Sequence, residues 1–169
     1  LPCVFDVSAR TVATQSLNIF GDHSDVYACR QTGFAMLAET NPQEVMDLSP
    51  VAHLAAIEGK VPFINFFDGF RTSHEIQKIE KWDYADLKEM CNMDAVKAFR
   101  EHALNPEHPA MRGSHENGDV FFQHREACNS VYEALPAVVK KYMGKINEKL
   151  GTNYDLFNYY GAEDADRVI

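Results

Sequence analysis

The chain has 169 residues, which is enough for one domain with a hydrophobic core. Hydrophobic residues make up 46% and charged residues 24% of it, as is typical of globular proteins. Its 25 acidic and 16 basic side chains give a formal charge of −9, which argues against nucleic acid or an anionic membrane surface as the main partner. No apolar run approaches the roughly 20 residues of a membrane helix, and the first residues lack the charged leader of a signal peptide.

Four cysteines are spread along the chain without any C-x-x-C pair: Cys3, Cys29, Cys91 and Cys128. We therefore expect reduced thiols rather than ligands of an iron–sulfur cluster or a zinc ion. The seven histidines include no H-x-x-x-H pair, so no metal site is indicated within this stretch.

The first forty residues contain three predicted strands and one predicted helix. Residues 3–7 form a short apolar run that suits a buried strand. Residues 8–20 alternate small and apolar side chains and predict a short helix before a turn at Gly21. Residues 25–29 and 33–38 predict two further strands.

The next segment predicts two consecutive helices. Asn41 or Thr40 can cap the first of them. Pro50 would cost about 3 kcal/mol or more inside a helix, so we expect a break there. Ser49 would then cap a second helix, and Gly59 would end it.

Residues 61–67 form a nearly continuous apolar run, as expected of an interior strand covered on both faces. The preceding strand, the helical segment and this strand form a βαβ unit, which favours a right-handed crossover in a parallel sheet. The predicted fold class is therefore α/β, with a mainly parallel sheet flanked by helices.

The second half of the chain is predicted to be mostly helical. Residues 82–104 suit short amphipathic helices, and residues 105–120 suit a long connecting segment rich in Pro, Gly and Asn. An apolar stripe over residues 131–146 predicts a helix, which Pro136 either kinks or restarts and which Gly151 ends.

The last residues predict a strand and then a helix. Residues 154–161, "YDLFNYYG", are the strand candidate. Residues 162–169 predict the start of a helix. Because the chain starts inside one predicted strand and stops inside this helix, both ends look cut.

The stretch "VPFINFFDGFRTSHEIQKIE", residues 61–80, ends in a group of polar side chains. Thr72 and Glu75 match the T-x-x-E capping box, Asp68 and Gly69 suit a turn, and Arg71 suits an ion pair with Asp68. Loops after parallel strands also build ligand sites. From the residues alone we favour the structural interpretation, because a strand-to-helix junction needs caps.

Arg10 also follows a predicted buried strand. A guanidinium group there can grip a carboxylate or a phosphate with two parallel hydrogen bonds, or it can form a structural ion pair. Asp22, His23 and Asp25 form either a proton relay or, as we favour, a solvated turn. Neither a glycine-rich phosphate loop nor a G-x-S-x-G elbow is present.

Seven stretches in this order resemble one enzyme family: "VFDVSAR", "SLNIFGDHSDV", "RQTGFAMLA", "QEVMDLSPVAHLAAIE", "VPFINFFDGFRTSHEIQKIE", "NPEHPAMRG" and "FNYYGAEDADRVI". The family is pyruvate:ferredoxin (flavodoxin) oxidoreductase, a thiamin diphosphate enzyme of anaerobic metabolism. The resemblance covers essentially the whole chain, and "FFDGFRTSHEIQKI" is its most specific part.

The family's polypeptide is much longer than this chain. The resemblance implies that residues 1–150 are the latter part of the pyrimidine-type thiamin diphosphate-binding domain, with a long connecting segment near 105–120. Residues 151–169 would start the following domain. The thiamin-binding fold would thus be incomplete here.

The resemblance implies oxidative decarboxylation of pyruvate to acetyl-CoA and CO2, with electrons passing through iron–sulfur clusters to ferredoxin or flavodoxin. The full-length enzyme would hold thiamin diphosphate, Mg²⁺ and the clusters, whereas this segment alone would bind none of them and would be inactive. Its partners would be pyruvate, coenzyme A, the electron carrier, the remaining domains and a second subunit of a homo-oligomer. The location would be cytoplasmic, or hydrogenosomal in an anaerobic eukaryote.

Two alternatives remain open: an oxidoreductase for another 2-oxo acid or with a different fused electron-transfer domain, and a non-catalytic thiamin-fold scaffold. For the enzyme, the resemblance assigns the pyruvate carboxylate to Arg10 and the cofactor pocket to Leu17 and Ile19. No catalytic residue or metal ligand is assigned to this segment. The chain departs from the family's pattern at Asp6, commonly histidine there, and at Pro50.

Overall fold

The computed structural model describes residues 1–111, 113 and 115–167. Its sheet has three parallel strands: β1 (Val4–Ala9), β2 (Ala35–Glu39) and β3 (Phe63–Asp68). Their order is β1-β3-β2, so β3 lies in the middle and pairs with both neighbours. This confirms the predicted parallel α/β sheet and the interior position of the apolar strand.

Helices flank the sheet and form most of the second half of the chain. In chain order they are α1 (Ser24–Ala28), α2 (Pro42–Gly59), α3 (Arg71–His74), α4 (Tyr84–Met90), α5 (Met93–His102), α6 (Gly118–Ala127) and α7 (Asn129–Leu150). In the described part of the chain, no helix is both long enough and apolar enough to cross a membrane.

Helix α2 connects β2 to β3 and has the predicted cap at its start. The side chain of Asn41 accepts a hydrogen bond from the backbone N–H of Glu44 at 3.0 Å, and Glu44 Oε2 accepts one from the backbone of Thr40 at 2.7 Å. The helix ends where Lys60 adopts the left-handed conformation with φ of 58°. The left-handed residue is thus Lys60, one position after the predicted Gly59.

The predicted break at Pro50 is wrong, because α2 runs through it. A proline has no N–H, so the carbonyl of Met46, one turn earlier, loses its partner within the helix. The indole N–H of Trp82 donates to this carbonyl at 3.1 Å. A side chain from the next part of the chain therefore satisfies the carbonyl that Pro50 leaves unpaired.

The main core lies between one face of the sheet and helices α2 and α7. Tyr142, Phe63, Ile146 and Val51 are its largest fully buried apolar side chains. The opposite face carries a smaller cluster around Ile64.

A polar network joins α7 and α5 to the end of α2. The hydroxyl of Tyr142 donates to Glu58 Oε2 at 2.5 Å, and the ammonium group of Lys141 donates to Glu58 Oε1 at 2.7 Å. Lys141 also donates to Oε2 at 2.8 Å, and Asn92 adds a fourth hydrogen bond to this carboxylate at 3.1 Å. The network fixes the packing of three helices at one point.

Two elements predicted in the first forty residues are wrong, and β1, predicted as a buried strand, is largely exposed or half-buried, with Phe5 57% exposed. Residues 11–23 contain no helix, and residues 25–29, predicted as a strand, belong largely to helix α1. Side chains explain the second difference: Asp22 accepts from Ser24 N at 2.6 Å, and Asp25 accepts from Val26 N at 2.6 Å. Such local bonds between side chains and the backbone compete with the pairing that a strand would need.

The predicted strand at 154–161 is also wrong, because that segment is irregular. Asn147 in α7 hydrogen-bonds both the N–H and the C=O of Tyr154, which therefore cannot join a ladder through those groups. The hydroxyl of Tyr154 donates to the buried Asp47 at 2.9 Å and ties this segment to α2. The helix predicted at 162–169 is absent as far as residue 167, and residues 168 and 169 lie outside the described residues.

Other predictions for the second half are confirmed. Helices α4 and α5 fill the amphipathic segment, and α7 contains the predicted apolar stripe. Pro136 does not restart this helix, because α7 runs through it from Asn129 to Leu150. Gly151 ends α7 in the left-handed conformation with φ of 70°. The connecting segment is shorter than predicted, because α6 already begins at Gly118. The domain boundary at 150 stays a prediction.

Candidate functional site

The carboxyl ends of the three strands meet at one edge of the sheet. Ala9 at the end of β1 is paired with Asp68 at the end of β3, and Glu39 at the end of β2 is paired with Phe67. In parallel sheets this is the edge where ligands bind. The loops that follow these strands carry the predicted site residues.

Arg10 follows β1 directly and is half-buried. Its Nε donates to the carbonyl of Gly69 at 2.7 Å, and its backbone N–H donates to Asp25 Oδ2 at 2.9 Å. No described residue forms a salt bridge with Arg10 or accepts a hydrogen bond from its two terminal amino groups. Of the two interpretations of Arg10, the structural ion pair is absent in the described part of the chain. The two terminal amino groups of Arg10 are therefore available to donate to a carboxylate or a phosphate.

Leu17 and Ile19 lie in the irregular loop between β1 and α1. Their exposed fractions are 72% and 40%, which is high for branched apolar side chains. The same loop is anchored to the loop after β3 by Phe20, whose ring lies 4.7 Å from that of Phe70. Two uncovered apolar side chains thus share a loop that begins at Arg10.

The loop after β3 is built differently from the predicted capping box. Asp68 accepts hydrogen bonds from the backbone N–H groups of Phe70 and Arg71 just before the short helix α3, whose N-cap residue Phe70 makes no side-chain cap. Thr72 instead donates to the carbonyl of Thr40 at 3.4 Å, and Glu75 already lies outside the helix. Asp68 thus satisfies backbone groups at this strand-to-helix junction, which fits the structural interpretation, but the predicted ion pair of Arg71 with Asp68 is absent among the described residues.

Asp22, His23 and Asp25 do not form a proton relay. Asp22 and Asp25 accept from backbone N–H groups, and the ring of His23 packs edge-on against Phe66 at 5.6 Å. A hydrogen bond from Ser24 lowers the pKa of Asp22, which therefore stays ionised. The solvated-turn interpretation fits this geometry.

Two clefts border this region. A polar cleft of about 610 Å³ lies between the loops after the strands and includes Asp22, Glu39 and Arg71 in its lining. A more apolar cleft of about 640 Å³ lies beside α2 and is lined by Pro50 and Trp82, among others. The linings of these two clefts do not include Arg10. No group of three or more His, Cys, Asp or Glu side chains that could hold a metal ion occurs among the residues described.

Sequence reasoning missed the two residues that hold Arg10. The sequence predicts a turn at Gly69, and it predicts that Asp25 starts a short strand or belongs to a solvated turn. The signal for Gly69 was its place directly after an interior strand that neighbours β1. For Asp25 no comparable signal exists, because its contact with Arg10 depends on the path of an irregular loop.

Known proteins are similar in sequence to this whole region. The family model described as "Pyruvate flavodoxin/ferredoxin oxidoreductase, thiamine diP-bdg" matches residues 1–144. Pyruvate-flavodoxin oxidoreductase of Enterobacter agglomerans is 63% identical over 100% of this chain, and pyruvate:ferredoxin oxidoreductase of Moorella thermoacetica is 56% identical over the same span. Pyruvate dehydrogenase [NADP(+)] of Cryptosporidium parvum is 51% identical over 99% of it.

These relatives are far longer than the chain. It covers 14% of the Enterobacter and Moorella proteins and 9% of the Cryptosporidium protein. The family match nevertheless includes all three strands and every loop at the carboxyl edge of the sheet. The chain belongs to the thiamine diphosphate-binding family of the pyruvate flavodoxin/ferredoxin oxidoreductases.

Proposed function

We propose that this chain is the part of a pyruvate:ferredoxin/flavodoxin oxidoreductase that presents Arg10 to the carboxylate of pyruvate. The whole enzyme would convert pyruvate and coenzyme A into acetyl-CoA and CO2, and would pass the two electrons released to ferredoxin or flavodoxin. The observation that carries the proposal is the 63% identity to a pyruvate-flavodoxin oxidoreductase along the entire chain.

Arg10 suits the task of orienting a small 2-oxo acid. Its Nε is occupied by Gly69, whereas its two terminal amino groups have no partner in the described structure. A guanidinium group binds both oxygens of a carboxylate with two parallel hydrogen bonds. Such a grip fixes which way the keto carbon faces, and correct orientation is a large part of catalysis.

Thiamin diphosphate fits this edge only in part. The exposed side chains of Leu17 and Ile19 suit packing against a flat heteroaromatic ring, close in sequence to Arg10. The cofactor supplies the carbanion chemistry that breaks the bond to the carboxylate carbon. The diphosphate needs a divalent cation and oxygen ligands, which we assign, with the iron–sulfur clusters, to other parts of the polypeptide.

Three alternatives are worth testing beside this proposal. In the first alternative the substrate is another 2-oxo acid. In the second the electrons go to another acceptor. The second alternative is favoured by a specific observation, since the Cryptosporidium parvum relative is named for NADP⁺. The third alternative is a non-catalytic scaffold, and an inactive full-length protein would support it.

The test is an assay of the purified full-length protein that contains this chain. We expect reduction of flavodoxin or ferredoxin that depends on both pyruvate and coenzyme A. We also expect the protein to be a homo-oligomer located in the cytoplasm or in hydrogenosomes. A panel with 2-oxobutyrate, 2-oxoglutarate and NADP⁺ separates the alternatives. A protein that uses 2-oxoglutarate in preference to pyruvate would contradict the proposed substrate, and a protein inactive with every pair would contradict the proposed activity.

A further inference from the structure

Gly69 and Arg10 meet where β3 and β1 end. The backbone N–H of Gly69 donates to the carbonyl of Ala9 at 2.8 Å, and the carbonyl of Gly69 accepts from Arg10 Nε at 2.7 Å. The same carbonyl accepts from the hydroxyl of Ser73 at 2.6 Å. The guanidinium group of Arg10 is therefore held by a backbone carbonyl whose own position is fixed by neighbours.

The contact exists only because residue 69 has no side chain. A Cβ atom there would lie 2.2 Å from the carbonyl oxygen of Ala9, 2.6 Å from Arg10 Cγ and 2.8 Å from the carbonyl oxygen of Ser8. The described glycines with positive φ do not include Gly69. The requirement for glycine is thus one of space beside Arg10, not of backbone conformation.

Asp25 holds the backbone of Arg10, whereas Gly69 holds its side chain. Its Oδ2 accepts from the backbone N–H of Arg10 at 2.9 Å, while its Oδ1 accepts from Val26 N in the first turn of α1. The carboxylate thus connects the start of the loop to the helix in which the loop ends. It fixes the backbone from which the Arg10 side chain extends.

We propose that Gly69 and Asp25 are positioning residues that set the direction in which Arg10 offers its two terminal amino groups to the substrate carboxylate. The inference rests on the proposed function, since it concerns how Arg10 is aimed. Because the guanidinium group is planar, a hydrogen bond at Nε fixes the plane in which the other two nitrogens lie. Neither residue touches the substrate; both act through Arg10.

The first test compares Gly69→Ala with wild type in the full-length protein. A displacement of about 1 Å can cost roughly 100-fold in rate, so we expect kcat/KM for pyruvate to fall by about 10- to 100-fold. Thiamin diphosphate affinity should stay unchanged. Gly144→Ala is the matched control, because a Cβ atom at Gly144 meets nothing within 4 Å.

A double-mutant cycle separates positioning from a general loss of structure. If Gly69 acts through Arg10, Gly69→Ala should lower kcat/KM little further once Arg10→Lys is present, whereas independent effects would multiply. Multiplying effects would overturn the inference. Should Arg10→Lys alone change nothing, the proposed role of Arg10 fails and the inference falls with it.

A second variant keeps the test decisive if Gly69→Ala does not fold. Asp25→Ala removes the acceptor for the Arg10 backbone, and we expect a smaller loss of pyruvate kcat/KM that again does not multiply with Arg10→Lys. Asp83→Ala is its control, since Asp83 caps helix α4 through Ala85 N at 2.9 Å without touching Arg10. A loss with Arg10→Lys but none with Asp25→Ala or Gly69→Ala would overturn the positioning role and leave the proposed function standing.

Discussion

Glu39, at the end of β2, is a buried carboxyl group with no hydrogen-bond partner in the described structure. It is 4% exposed, and neither of its oxygens accepts a hydrogen bond. The pKa of Glu39 is raised from 4.5 to about 8, mainly by burial. The neighbouring amide of Asn65 lowers this pKa, whereas the negative charges of Asp6 and Glu44 raise it. The folded chain thus holds Glu39 protonated under neutral conditions.

Glu39→Gln should therefore stabilise the fold more at high pH than at low pH. A raised pKa gives stability that is fully present below the unfolded value of 4.5 and is lost as the pH rises through about 8. The neutral amide does not titrate, so its advantage over wild type should grow across this window. Urea unfolding at pH 5 and pH 8.5 measures it, and an advantage independent of pH would contradict the account.

Glu58 has the opposite shift. Burial would raise its pKa, but hydrogen bonds from Lys141, Tyr142 and Asn92 lower it to about 2. A lowered pKa gives stability that is present above 4.5 and lost as the pH falls towards 2.

Tyr142→Phe removes the hydroxyl that donates to Glu58 and should cost about 1.5–3 kcal/mol at pH 7. It should also make the acid loss of stability shallower. Tyr84→Phe, at a side chain that is 79% exposed, is the control and should have little effect. Equal costs for the two variants at pH 7 would show that the hydrogen bond from Tyr142 to Glu58 contributes nothing to stability.

At the scale of single residues, the sequence could indicate Arg10 but not what holds it. Arg10 is visible because it directly follows an apolar strand. Its partners Gly69 and Asp25 lie 59 and 15 positions away, and only the pairing of β1 with β3 and the path of the loop bring them close. Such contacts depend on tertiary structure, which local patterns do not encode.

At the scale of elements, Trp82 and Pro50 form a linked pair. Trp82→Phe leaves the carbonyl of Met46 without a donor in a partly buried position, which should cost about 1–3 kcal/mol. In a Pro50→Ala background, the new N–H of residue 50 can bond this carbonyl within the helix. Trp82→Phe should then cost clearly less, and unfolding of the four proteins in urea tests this; an unchanged cost would mean that the indole bond does not compensate for the proline.

The sequence indicates most clearly the elements whose apolar pattern is continuous or repeats over several turns. Strand β3 and helices α5 and α7 carry enough apolar residues in register to identify them. The strand predicted at residues 25–29 is wrong because a pattern of five residues fits either a strand or a turn of helix. The predicted break at Pro50 is wrong because Trp82, which supplies the missing donor, lies 36 residues beyond Met46. A local sequence pattern does not show such a distant contact.

At the scale of the molecule, the isolated chain leaves much apolar surface uncovered. Phe5, Leu17, Phe20 and Phe122 are between 57% and 72% exposed. Strands β1 and β2 each pair on one side only within the described residues. Uncovered apolar surface and open strand edges both favour association.

We therefore expect the isolated chain of 169 residues to self-associate, to bind thiamin diphosphate and Mg²⁺ weakly, and not to decarboxylate pyruvate. Light scattering over a range of concentrations and calorimetric titration with both ligands test this. Micromolar cofactor binding by a clean monomer would show that the segment is self-sufficient.

The most direct test of the central claim is the effect of Arg10→Lys in the full-length protein. Lysine keeps the positive charge but loses the planar fork that holds two carboxylate oxygens. We predict that kcat/KM for pyruvate falls by about 10- to 100-fold, while the affinity for thiamin diphosphate is unchanged. An unchanged kcat/KM for pyruvate would remove Arg10 from the substrate site and contradict the account.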